Sequence, residues 1–224
     1  VDLLHEKGNA EQRHQAQNML ALLTPIAKGF ISEVSQEATG YGVQILGGHG
    51  FISEWGVEQH VRDTRITTIY EGTTGIQGLD LLGRKILASK GEMLLPFVNQ
   101  VKEFCANHKD SHLAKPVEQS INKLLELTDV VAKKASNPDE INGIGVDYLM
   151  FAGYTVLAYF WAQSSVISQS ALDAGTNEQD FYKAKIATAN FYFSKLLPRT
   201  ATLELTIKAG VKDLMAINDE HFIF

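Results

Sequence analysis

The feature that most constrains this chain is the near absence of strand-like alternation. Only five prolines occur, at positions 25, 96, 116, 138 and 198, and apolar residues recur three and four positions apart through the long intervals between them. That spacing follows one face of an α-helix, whereas a half-buried strand repeats every second residue. One run, Ile-Thr-Thr-Ile-Tyr at 66–70, is strand-like, and five residues serve equally well as an extended connector. The chain reads as all-α. With 45% hydrophobic and 21% charged residues in 224, it is neither disordered nor low in complexity.

The helices follow from caps and breakers. The pattern predicts a helix over 11–23, then a second from Thr24-Pro25, an N-cap with proline at the first helical position, to about Leu46. Gly47-Gly48-His49-Gly50 ends it, because glycine favours turns over helix. A short helix is expected over 54–63. Thr74 and Gln77 have capping-box spacing, so another should run from there to about Ser89, where Lys90-Gly91 stops it. A domain boundary is placed there, giving domains 1–90 and 91–224. The second should be a bundle of four helices over 92–108, 113–135, 146–173 and 178–209, with turns at 137–139 and 175–177 and the last helix kinked or split at Pro198.

Charge narrows the function classes. Lys and Arg total 20 against 26 Asp and Glu, a net charge of −6, with no basic stripe, so nucleic acid is not an expected partner. Cys105 is the lone cysteine, which excludes an intramolecular disulfide and fits a reducing compartment. The histidines at 5, 14, 49, 60, 108, 112 and 221 lack metal-ligand spacing, and no metal is expected. Residues 148–172 carry no charge and match the roughly 20 residues of a membrane span in length. Yet Gln163, Ser164, Ser165, Ser168, Gln169 and Ser170 interrupt the stretch, and no Lys/Arg cluster flanks it, so a buried bundle helix is expected and no transmembrane segment. The start, Val-Asp-Leu-Leu-His-Glu-Lys-Gly, has neither the basic nor the apolar region of a secretory signal and reads as cut from something longer.

Residues 41–84 hold the candidate chemistry. Glu71 sits beside Gly72 and just before a helix, with Ile69, Tyr70 and Ile76 near it. A desolvated carboxylate there would be a strengthened base; a surface Glu favoured by a helix dipole has the same spacing. Gln44 with Gly47 and Gly48 allows a ligand close approach to the backbone, or forms a simple C-cap and turn. Arg62, Asp63 and Arg65 read as a local ion-pair cluster. The aromatics at 159–161 and 191–193 read as bundle core, and Cys105 as an inert helix-face thiol.

Together these pieces form an ordered set. Val-Gln-Ile-Leu-Gly-Gly-His-Gly-Phe at 43–51, Arg-Asp at 62–63 and Ile-Tyr-Glu-Gly-Thr-Thr at 69–74 occur in the order and spacing of a known family. Over residues 20–90 the chain resembles the C-terminal helical domain of the acyl-CoA dehydrogenases. Glu-Gly-Thr-Thr-Gly-Ile-Gln-Gly-Leu-Asp-Leu-Leu-Gly-Arg-Lys at 71–85 is most similar to the larger bacterial branch, which includes 3-methylmercaptopropionyl-CoA dehydrogenases and carries an extra C-terminal helical region, here 91–224.

The resemblance implies an FAD-dependent α,β-dehydrogenation of an acyl-CoA thioester. It implies that Glu71 is the base taking the α-proton while its backbone N–H and a flavin ribityl hydroxyl polarise the carbonyl. Gly72 would lie beside the acyl-CoA. Gln44, Gly47 and Gly48 would contact FAD, typically the neighbouring subunit's, and Thr73 and Gly75 would lie near its diphosphate. It further implies a homodimer or homotetramer, electron-transfer flavoprotein as acceptor, and the cytoplasm as compartment. The sequence departs from common members at Thr74, Gly75 and Gly78, where those have Ser-Glu or similar at 74–75 and Arg at 78. The family's N-terminal and middle domains and the first long helix of its C-terminal domain have no counterpart here, so the chain is expected to be a C-terminal piece that does not hold FAD alone. The rival expectation is a non-catalytic helical module for oligomerisation or membrane-surface docking.

Overall fold

The computed structural model describes residues 9–222, and among them there are helices and turns but no strand. The chain divides into two units. The first runs up to Met93 and also takes in Ile141–Met150; the second comprises Leu94–Glu140 and the residues from Phe151 onward. The segment Ile141–Met150 joins the first unit although it lies far along the chain from the helices it packs on, so the units are not two continuous stretches of sequence.

In the first unit, α1 (Ala10–Leu46) is one continuous helix of 37 residues. Asn9 caps it reciprocally: Gln12 N donates to Asn9 Oδ1 at 2.9 Å and Asn9 N to Gln12 Oε1 at 3.0 Å. The expected break at Thr24-Pro25 does not occur. Proline removes only one helical donor, and Leu22, Ile26 and Phe30, at 0%, 5% and 4% exposure, hold both sides of it in the same core. Thr24 Oγ1, expected as a cap, instead donates back to the Leu20 carbonyl at 2.7 Å.

Beyond Gly47 come a short α2 (Gly48–Phe51), a 3₁₀ turn at Ser53–Trp55, and α3 (Val57–Arg65), which packs on α1. The strand-like run 66–70 begins with a second 3₁₀ turn, Ile66–Thr68. It has no neighbouring strand with which to form a ladder, and Tyr70 N closes the turn onto the Ile66 carbonyl at 3.1 Å. Then α4 (Thr74–Leu79) passes directly into a π-helical segment, Asp80–Leu87. The wider winding is visible where Ala88 N reaches the Gly83 carbonyl, five residues back, at 3.0 Å. It keeps Leu81, Leu82 and Ile86 all buried.

The helix α7 (Pro138–Asp173) starts eight residues before the expected Val146, with Asn137 as N-cap and Pro138 at the first turn. Within it, Gly145 lies against Gly78: a Cβ placed on Gly78 would stand 2.7 Å from the Gly145 carbonyl carbon and oxygen. The departure at position 78 thus has a physical reason, since an arginine side chain has no room beneath this segment.

The second unit contains α5 (Leu95–Asn107), α6 (Ala114–Ala132), the remainder of α7, α8 (Gln179–Phe191) and α9 (Thr200–Ala209). Tyr159 organises part of its core: Phe97 and Phe104 stand edge-on to its ring at 5.8 and 5.5 Å, and its hydroxyl accepts from Gln100 Nε2 and Gln163 Nε2. Tyr192 is buried and donates to the Tyr154 carbonyl at 2.7 Å, and burial pushes its hydroxyl well above the usual tyrosine range. The sequence pattern places one helix over 178–209. Pro198 divides it: α8 widens into a π segment at Tyr192–Leu196 and tightens into a 3₁₀ turn at Leu197–Arg199 before α9 begins. Cys105 is buried with its thiol on the Ala114 carbonyl, and burial followed by the Glu118 charge pushes the thiol up, which suits an inert residue. Among the described residues only α7 is long and apolar enough to cross a membrane, and 61% of its most apolar window is buried in the protein.

Four charged side chains tie α6 to α9. Lys123 contacts Glu126 and Glu204 at 2.6 and 3.1 Å, and Lys208 contacts the same two carboxylates at 2.8 and 2.6 Å. The hydrogen bonds from Lys123 and then Lys208 lower Glu126 from the ordinary 4.5 to about 2. Because the folded value lies below the unfolded one, its contribution is complete above pH 4.5 and is lost as pH falls toward 2. The group is fully exposed, so the effect should be small and screened by salt. Thermal midpoints measured from pH 5 to 2 should fall less steeply for Glu126→Gln than for the unsubstituted protein; parallel profiles would show that the pairing is inconsequential.

Candidate active site

Glu71 occupies a corner between the 3₁₀ turn at 66–68 and α4. The corner is built from two consecutive left-handed residues, Glu71 at φ +53° and Gly72 at φ +91°. Glycine adopts this region readily, whereas glutamate there is held by its surroundings. Lys28 of α1 donates to the carbonyls of Thr67 at 2.7 Å and Gly72 at 2.6 Å, and its ammonium lies 5.8 Å from the Tyr70 ring centroid. Gln77 Nε2 donates to the Glu71 carbonyl at 3.3 Å. A Cβ on Gly72 would stand 2.8 Å from that same Nε2, so the brace from Gln77 requires glycine there.

The start of α4 differs in detail from the expected capping box. Thr73 is the N-cap, accepting from Ile76 N at 3.3 Å, and Gln77 is committed to the Glu71 carbonyl. Thr74 is buried, and its hydroxyl donates to Glu33 Oε1 on α1 at 2.5 Å. Gly75 follows in the first turn with no close obstruction.

Glu71 lines a cleft of about 260 Å³ with Ala27, Lys28, Ile31, Ser35, Thr67 and Tyr70 among its walls. The carboxylate itself is exposed, and among the described residues it forms no ion pair or hydrogen bond. The Glu71 N–H is likewise unbonded among the described residues. Ile69, Tyr70 and Ile76 retain 48%, 47% and 54% exposure, so this chain's own apolar residues do not dry the carboxylate. A larger groove of about 900 Å³ runs between α1 and α3, from Gln36, Gly40 and Val43 to Phe51, Arg62 and Ile69.

Gln44, Gly47 and Gly48 lie elsewhere. All three are exposed at the C-terminal end of α1, where Gly47 takes φ +57° and donates to the Gln44 carbonyl at 3.2 Å. Nothing lies within 4 Å of a Cβ placed on Gly47 or Gly48, so the backbone is open to a ligand. The walls of the Glu71 cleft end at Ser35 on α1, 12 residues before Gly47, which is about 18 Å along a helix. The structure therefore brings Glu71, Gly72, Thr73 and Gly75 together but holds the glycine pair apart from them.

Arg62, Asp63 and Arg65 do not form the expected ion-pair cluster: Asp63 accepts from Gln59 Nε2 at 2.6 Å and Arg65 donates to Thr68 Oγ1 at 2.6 Å. Both partners lie in local helical or turn register, nearer than the opposite charges. Sequence reasoning missed Lys28 and the role of Gln77. The signal for Lys28 was present, since it is the only Lys, Arg, Asp or Glu between Arg13 and Glu33.

Comparison with known proteins gives the class. Residues 7–87 match the family model described as "Acyl-CoA dehydrogenase, C-terminal domain", and residues 97–218 match "Acetyl-CoA dehydrogenase C-terminal like". The chain belongs to the acyl-CoA dehydrogenase family and corresponds to its C-terminal helical part.

A 3-methylmercaptopropionyl-CoA dehydrogenase of Ruegeria pomeroyi is 35% identical over 200 residues, covering 87% of this chain and 34% of that protein. The broad-specificity linear acyl-CoA dehydrogenase FadE5 of Mycobacterium tuberculosis is 30% identical over 216 residues, 90% of this chain and 35% of that protein. The caffeyl-CoA reductase-Etf complex subunit CarC of Acetobacterium woodii is 45% identical over 58 residues, 26% of this chain and 15% of that protein. The chain spans about a third of the length of the first two relatives.

Proposed function

We propose that this chain is the C-terminal part of an FAD-dependent acyl-CoA dehydrogenase and that it supplies the catalytic base. The observation that carries the reading is the corner at Glu71: an unpaired carboxylate and an unbonded backbone N–H on one left-handed residue at the mouth of a cleft. A thioester bound there with its carbonyl oxygen on the Glu71 N–H gains electrostatic stabilisation as the α-carbon loses its proton. Glu71 takes that α-proton, the β-hydrogen leaves with its electron pair, and a double bond forms between the two carbons. Bound FAD supplies the acceptor for the hydride.

An exposed carboxylate is a weak base toward so weak a carbon acid, so the site needs water excluded. The exposed apolar residues Ile31, Ile69, Tyr70 and Ile76 around the corner offer a surface for the rest of the enzyme to cover. Gly72 lies beside the acyl-CoA in this reading. Thr73 and Gly75 face the FAD diphosphate, and Gln44, Gly47 and Gly48 hold FAD across their open backbone. The separation between the two groups along α1 supports assigning the glycine pair to a neighbouring subunit's FAD, in a homodimer or homotetramer. The name of the CarC relative supports an electron-transfer flavoprotein as electron acceptor. The cytoplasm is the proposed compartment, with which the buried free thiol of Cys105 is compatible.

The test is turnover by the protein carrying this chain together with the remaining family domains, reconstituted with FAD and supplied with saturated acyl-CoA thioesters. The expected result is enoyl-CoA and loss of the oxidised flavin absorbance. The separate 224-residue chain should release flavin on gel filtration; stoichiometric retention would contradict the assignment of FAD binding to the whole assembly.

A further inference from the structure

We infer that Lys28 is a positioning residue for the base. The inference rests on the reading of Glu71 given above and adds the device that aims it. Lys28 is bonded to backbone carbonyls on both sides of Glu71, at Thr67 and Gly72, 2.7 and 2.6 Å away. The remaining face of its ammonium is turned toward the Tyr70 ring, 5.8 Å to the centroid. The cation shares the Glu71 cleft yet forms no ion pair with that carboxylate. Its donors are used on the backbone, and the carboxylate stays unpaired and available for a proton.

The platform for this strap is α1, fixed in the core by Ile26 and Phe30, two residues to either side of Lys28, and by Leu22 nearer its start. The strapped segment is the one that carries Glu71 at φ +53°. Glutamate does not hold that conformation unaided. Freed of the Lys28 bonds, the corner keeps the longer contact from Gln77 Nε2 to the Glu71 carbonyl, at 3.3 Å, and the turn bond from Tyr70 N to the Ile66 carbonyl, neither of which reaches Gly72. Rotation of φ at residue 71 toward the right-handed region swings both the Cα–Cβ bond and the N–H, so the base and the carbonyl-polarising donor lose their aim together.

The experiment uses the flavin-loaded enzyme containing this chain, with Lys28→Met and Glu71→Gln measured side by side. Lys28→Met should lower kcat about 10- to 100-fold while KM for acyl-CoA changes by less than about threefold, because a misaimed base affects the chemical step. The kinetic isotope effect with α-deuterated acyl-CoA should rise, since proton abstraction becomes more limiting. Circular dichroism and flavin content establish that the variant is folded. Should Lys28→Met not give soluble enzyme, Lys28→Gln, which loses the charge and the reach to both carbonyls, carries the same expectations. A folded Lys28 variant with unchanged kcat, with a loss confined to KM, or with an unmoved isotope effect overturns the inference. If Glu71→Gln is inactive while the Lys28 variant is normal, only the positioning role fails. If Glu71→Gln is active, the base assignment fails and takes this inference with it.

Discussion

Glu71→Gln in the assembled, flavin-loaded enzyme should reduce kcat by about 1,000-fold or more, with KM within about threefold of the parent, as expected when a general base is removed. Glutamine has nearly the size of glutamate and cannot accept the α-proton. The backbone N–H of residue 71 survives the substitution, so the thioester keeps its carbonyl contact and binding is little changed. The fold should be unaffected, because the carboxylate is exposed and forms no bond within the described residues. A thermal midpoint within about 2 °C of the parent is therefore expected. Turnover within tenfold of the parent would mean that the proton leaves by another route.

The second large effect concerns stability. Gly78→Ala should destabilise the first unit by about 2–3 kcal/mol through overpacking. The new methyl would lie 2.7 Å from the carbonyl carbon and oxygen of Gly145 and 3.0 Å from Val146 N. These are backbone atoms of a helix, which cannot rotate away as a side-chain end can. Either α4 or the Ile141–Met150 part of α7 must move. Gly40→Ala is the control: nothing lies within 4 Å of its Cβ position inside α1, so it should gain about 1 kcal/mol from helix propensity. Urea unfolding of the two variants reads the contrast directly. Equal midpoints would show that the contact between Gly78 and Gly145 is looser than it stands here.

Much of this was legible before any coordinates. The 3.6-residue period over 95–107, 114–132 and 179–191 belongs to local geometry, and helices lie there. The glycines after Leu46 and the Lys90-Gly91 pair mark chain direction changes by their own backbone freedom, and Lys90 and Gly91 indeed take φ +52° and +84°. Errors arose where a local preference met a stronger tertiary demand. Pro25 resembles a helix start but is carried through by buried neighbours on both sides. Gly145 stays helical in α7, where its backbone lies against Gly78. The sequence around 80–87 gives no sign of π winding, which appears when Leu81, Leu82 and Ile86 must all be buried at once.

The same division holds for the chemistry. The residue types and their order, Glu71-Gly72 before a threonine cap and Gln44 before a glycine pair, lie in the one-dimensional string because turns and caps depend on near neighbours. What the string does not contain is distance. That Lys28, 43 positions before Glu71, clamps the base's corner, that the Gly47–Gly48 end of α1 stands apart from it, and that Ile141–Met150 packs with the first unit all follow from the folding of remote segments into contact. Such contacts are set by burial and steric fit in three dimensions, and no local pattern encodes them.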